Sequence, residues 1–178
     1  MTVWTAVLAA AVGASAPAGG FDIDIGATLL AGFLATVALT VLMSAAQALR
    51  LSRMSLPLMI GTVFRVGREL SLIAGMVLHT AGGWVSAFVY AAFFEVWGAS
   101  VWFGAVLGAS HALFVLAVLL PISPGFHPGM ASARQGPSPT RSLQPPGFMG
   151  LNYGVGSAVA TFVAHVAYGV ILGAMYPS

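Results

Sequence analysis

LSLIAGMVLHTAGGWVSAFVYAAFF, residues Leu70 to Phe94, is a run of apolar and small side chains without a single charge. A helix needs about 20 such residues to cross a bilayer, so the stretch is long enough. Gly75, His79, Gly82, Ser86 and Tyr90 recur within it at helical spacing and form one stripe of small and polar groups. The remaining faces carry Leu, Ile, Val, Met and Phe. A helix built this way turns its oily flanks to lipid and its stripe to other helices. His79 lies on the stripe, near the middle of the hydrocarbon layer.

The whole chain has the same character. Of its 178 residues 59% are hydrophobic and 6% charged, against about 25% charged in soluble domains. A soluble globule is excluded, and the length leaves room for one membrane domain. All six cations are arginines and the net charge is only +2, which gives no sign of nucleic-acid binding. There is no cysteine, so disulfides, iron–sulfur clusters and thiolate metal sites are excluded.

Three further spans follow from the same pattern. The first, residues 26–49, carries Gly32, Thr36, Thr40, Ser44 and Gln47 on one stripe. Asp22 and Asp24 precede it, where acids cap free N–H groups and suit the helix dipole. The third, residues 100–120, places Gly104, Gly108 and His111 on one face and is expected to end at Pro121. The fourth, residues 153–175, aligns Ala158, Thr161, His165, Gly169 and Tyr176. Gly104-x-x-x-Gly108 and Gly169-x-x-x-Gly173 let helix backbones approach closely. With Gly75 and Gly82 they make the expected packing surface. Before the first span, Trp4–Val12 is too short to cross, and Ala14-Ser15-Ala16 resembles a cleavage site. This segment is read as retained and interfacial.

Two connections hold all six arginines: Arg50, Arg53, Arg65 and Arg68 in residues 50–69, and Arg134 and Arg141 in residues 121–152. The positive-inside rule makes both cytoplasmic and the arginines its anchors, with both termini outside. Trp97, Trp102, Phe93, Phe94 and Tyr176 then fall near the outer boundary. The apolar middle of the first connection, Met54–Phe64, reads as an interfacial helix rather than a re-entrant loop. The second holds seven of the ten prolines and reads as an extended strap. The expected fold is thus an all-α integral membrane protein: four transmembrane helices in an up-down bundle, a short interfacial N-terminus and a long Pro-rich cytoplasmic loop.

At 1.5 Å per residue His79, His111 and His165 lie roughly 14, 14 and 16 Å above the cytoplasmic boundary, in one layer. The second and fourth spans share His-x3-Gly-x6-Tyr, as His79-Gly83-Tyr90 and His165-Gly169-Tyr176. Imidazoles in such a layer suit a haem, with His79 and His165 as axial ligands, or a metal ion that also uses His111. The plainer alternative has each ring bonded across a helix seam to Thr36, Thr40, Ser86 or Thr161. His127, in the strap, reads as solvated or locally bonded. No acid reaches the layer, so neither a hydrolytic triad nor an acid/base pair assembles. The leading functional expectation is a non-catalytic accessory subunit of a larger membrane complex in the bacterial cytoplasmic membrane. It would pack against other membrane subunits or a second copy, its strap ordered along the partner. A haem- or metal-binding electron carrier is the alternative, and a small transporter or channel the third.

Overall fold

The computed structural model describes residues 22–132, 135–141 and 143–177. The expected interfacial N-terminus and Arg134 lie outside them. Four of the described helices are long and apolar enough to cross a membrane. These are α1 (Ile25–Ala48), α3 (Arg68–Trp97), α4 (Val101–Phe114, continuing to Gly125) and α5 (Val155–Met175), with a short α2 (Leu56–Gly61) between the first two. Their outward faces carry the large apolar side chains, among them Val77, Val85, Trp102 and Val159. Alanine, glycine, serine and threonine concentrate inside.

Local chemistry sets the helix ends. The Asp24 carboxylate accepts from the Ala27 N–H at 2.8 Å and caps α1. Ser100 caps α4 by accepting from Phe103 N–H at 3.1 Å. Between α3 and α4 the chain reverses at Gly98, whose φ of +81° suits a residue without Cβ. α3 has 30 residues, about 45 Å of helix against about 30 Å of hydrocarbon, so its end turns extend beyond the span read from sequence. α4 does not stop at Pro121. A π-helical turn, Val115–Leu119, precedes the proline, and helical turns continue through it to Gly125. The wider turn relieves the clash that a proline ring makes with the preceding turn.

α5 is the most enclosed span and α3 the least. α5 packs along α4 and α1, and α1 packs along α3. The α4–α5 seam is antiparallel and built from glycine. A Cβ added at Gly104 would strike the Gly169 carbonyl, and one at Gly169 would strike that of Gly104. Gly108 meets the His165 carbonyl in the same way, and Gly173 that of Ser100. No side chain fits between these backbones. Gly75 makes an equally close approach to Pro57 and Gly61 of α2. α2 therefore stands antiparallel against the first turns of α3. The physical reason is that pair of glycines, which lets two backbones touch. Gly82 differs from the others: it is exposed, and a Cβ there meets nothing within 4 Å.

These geometries separate the glycines experimentally. Gly169→Val is expected to destabilise the protein by about 2–3 kcal/mol, as overpacking does. Gly82→Ala should be neutral, or stabilising by up to about 1 kcal/mol through helix propensity. Unfolding in mixed micelles measures both, and equal losses would refute the seam described here.

Candidate functional site

Although a short turn joins α3 to α4, the two hardly touch along their length. They meet near the end that holds Gly98, where Phe94 packs edge-on against Phe103 with centroids 5.9 Å apart. Phe94 also packs against Tyr176, at 5.5 Å. The Tyr176 hydroxyl donates to Glu95 Oε1 at 2.6 Å, and burial together with that carboxylate pushes the phenol pKa up to about 12. Beneath this aromatic plug a cleft of about 390 Å³ opens between the helices. All four histidines of the chain line it: His79 from α3, His111 from α4, His127 from the strap and His165 from α5. Volume and lining, mostly apolar with a few polar groups, are those of a small-molecule site.

Each imidazole has a different environment. The His165 ring is buried, and its Nδ1–H donates to the Thr161 carbonyl at 2.8 Å. A carbonyl can only accept, so the proton sits on Nδ1 and the neutral ring keeps a lone pair on Nε2. His111 stands edge-on to it, with ring centroids 4.8 Å apart. Its Nδ1 lies 3.3 Å from the Tyr90 hydroxyl. His79 presents a buried Nε2 that has no hydrogen-bond partner.

His127 is buried and clasped rather than solvated. Its Nε2–H donates to the Met59 carbonyl at 2.9 Å, and its Nδ1 accepts from Gly129 N–H at 3.1 Å. It thereby fastens the strap to α2 across 68 residues of sequence. The far end of the strap is also held by its own chain. Arg53 donates to the carbonyls of Asn152 and Tyr153 at 2.9 and 3.3 Å, and Tyr153 donates to the Gln144 carbonyl at 2.6 Å. Burial raises the Tyr153 pKa although Arg53 pulls it down. Arg141 bonds the Gly136 carbonyl within the strap. Arg50 and Arg65 are exposed at left-handed corners, and Arg68 begins α3.

The threonine partners expected for the histidines are engaged elsewhere. Thr36 and Thr40 donate to carbonyls one turn back in α1, at 2.7 and 2.8 Å. Thr161 Oγ1 lies 3.8 Å from Met43 Sδ, and only its carbonyl serves His165. Tyrosines line the layer instead. Tyr168 donates to the Gly83 carbonyl at 2.6 Å, and its ring packs edge-on against Tyr90, with centroids 5.6 Å apart. Tyr168 was legible in principle, three residues after His165 and on the same helix face. The His-x3-Gly-x6-Tyr likeness does not extend to roles, since Tyr90 touches His111 while Tyr176 bonds Glu95.

Among the described residues no three His, Asp or Glu side chains come together to hold a metal ion. The three-histidine ion site is therefore not assembled here. The structure does place His79, His111 and His165 on one cleft, and the Nε2 of each ring carries no hydrogen bond. No protein-family model matches the sequence, and neither a curated protein nor a solved structure is significantly similar to it.

His127→Ala is expected to cost about 1–2 kcal/mol, since it leaves the Gly129 N–H unpaired and the Met59 carbonyl with the Thr62 hydroxyl alone, and to speed proteolysis of the strap. His79→Leu, which removes an unpartnered buried nitrogen, should leave the melting temperature of ligand-free protein unchanged or raised. Differential scanning fluorimetry on both variants checks this, and a larger loss for His79→Leu would contradict the assignment.

Proposed function

We propose that this chain is a multi-pass binding protein of the bacterial cytoplasmic membrane whose His79 and His165 would hold a haem-type cofactor in the cleft. One observation carries the reading: two imidazoles from different spans share the cleft, and each has an unengaged Nε2. His165 is already oriented as metal-ligating histidines are, with its other ring N–H given to a backbone carbonyl. A bare ion would need further side-chain ligands, which the described residues do not gather. A porphyrin brings four equatorial nitrogens of its own, so two histidines complete the iron. Gly82 leaves room on one wall for a flat ring. Bis-histidine haem moves single electrons, which suits a protein without catalytic acids.

In this reading the four spans run up and down across the membrane, with the arginine-bearing connections in the cytoplasm and both ends outside. A second reading, the accessory subunit, is favoured by the loosely closed α3–α4 seam, where Gly82 and Ser110 are exposed and a partner helix could seat. Order in the strap does not argue for a partner, because Met59, Tyr153 and Arg53 of the same chain hold it.

Visible spectroscopy of the purified chain titrated with haem tests the proposal. Sharp bands on reduction are expected, lost in both His79→Ala and His165→Ala. Gly82→Leu, which leaves the ligands in place and crowds the wall, should weaken binding at least tenfold. Absence of bands, or bands indifferent to both histidine substitutions, rejects haem. A stable co-purifying membrane subunit in mild detergent, together with absent bands, would favour the accessory role.

A further inference from the structure

A second cavity, about 490 Å³, lies between α1, α2 and α3, and it is amphipathic along its length. Arg68 opens one end, with Gln47 and Ser44 of α1 on the facing wall, while Leu39, Leu72 and Met76 supply apolar wall. The polarity gradient follows from antiparallel packing of α1 and α3. Gly32 meets Ala87 at one end of their contact and Gly83 meets Thr36 further along, so the last turns of α1 lie beside the first turns of α3. Arg68 to Met76 and Gln47 to Leu39 are each eight residues, about 12 Å of helix. In that register Gln47 stands level with Leu72, about one turn in from Arg68. α2 closes the third side through its close approach to Gly75. Ser44, Leu72 and Met76 are exposed at the rim, so the crevice is reached from the bilayer itself.

The charge of the crevice is one-sided. It is lined by one guanidinium and no carboxylate. A planar guanidinium matches two phosphate oxygens, with the Gln47 amide and Ser44 hydroxyl as neighbouring polar groups. The apolar depth beyond them suits an acyl chain, and membrane chains with anionic heads are what this arrangement complements.

We infer that the crevice is a binding site for one anionic phospholipid of the leaflet that Arg68 faces, its phosphate on Arg68 and an acyl chain lying against Leu39, Leu72 and Met76. The site is separate from the histidine cleft and does not depend on a cofactor there. The two spaces adjoin and share Leu39, Leu56 and His79 in their walls.

Native mass spectrometry of the full chain released from detergent, with added phosphatidylglycerol or phosphatidylcholine of identical acyl chains, tests the inference. Wild-type protein is expected to retain phosphatidylglycerol about fivefold better, the discrimination that one arginine gives. R68Q should abolish the preference. R141Q, whose arginine bonds within the strap, should keep it. S44W fills the crevice without touching Arg68 and should reduce retention of both lipids. Equal retention of the two lipids by the wild type overturns the inference, as does a preference that survives R68Q or is lost equally in R141Q. Unchanged retention in S44W also overturns it, and stronger competition by oleate than by phosphatidylglycerol would assign the crevice to a fatty acid instead.

Discussion

The contact on which the rest depends is backbone on backbone, where α4 crosses α5. In lipid no hydrophobic force drives helices together, because acyl chains are as apolar as leucine, so association rests on close packing and on polar groups shielded at the seam. Gly104 against Gly169 and Gly108 against His165 give that packing its closest form. The same crossing fixes the chemistry. His111 is three residues beyond Gly108 on one helix and His165 sits at the crossing on the other, so the two rings are brought to 4.8 Å.

α3 is held differently, and the difference makes the cleft. Its ties to the rest run mainly through α1 and α2, and it touches α4 at the aromatic end and, further in, through Tyr90 and His111. A span held at one side and one end leaves space along the remaining edge. The polar groups facing that space are not left unsatisfied at random. Tyr168 reaches across to the Gly83 carbonyl, and Tyr90 takes the Nδ1 of His111. Among the described residues the Nε2 of His79 is fully buried and unpaired, and leaving a buried polar atom alone carries a cost of about 1–3 kcal/mol in stability. Such a cost, on a helix that already packs loosely, is one that the proposed ligand would offset.

Spans were legible in the sequence because their signal is redundant: tens of apolar residues and few charges leave little choice. The glycine seam was legible at Gly104, Gly108, Gly169 and Gly173, where the four-residue spacing is repeated on both helices. Gly82 had the same composition signal and a different place, since helical periodicity says which residues share a face but not which neighbour covers it. The histidine layer could be read from helix rise alone, whereas the bond partners could not. Threonines in α1 satisfy their hydroxyls within one turn, a local option that competes with any cross-helix bond. His127 carried no periodic signal at all. Its place depends on a contact with Met59 across 68 residues, which only the folded chain brings about.

The standing of α2 follows from the same limit. Its six residues are too few to span, and apolar composition alone suits a helix lying flat. Yet the Gly61–Gly75 approach removes the side chains that would otherwise hold it off α3, and two short backbone surfaces in contact are aligned by their own geometry. Upright against α3, α2 walls the crevice on one side and, through Leu56 and Met59, borders the cleft on the other. The strap is then pinned to its end by His127. An element that spans nothing thus divides the interior into two spaces, which share Leu39, Leu56 and His79 as a common wall.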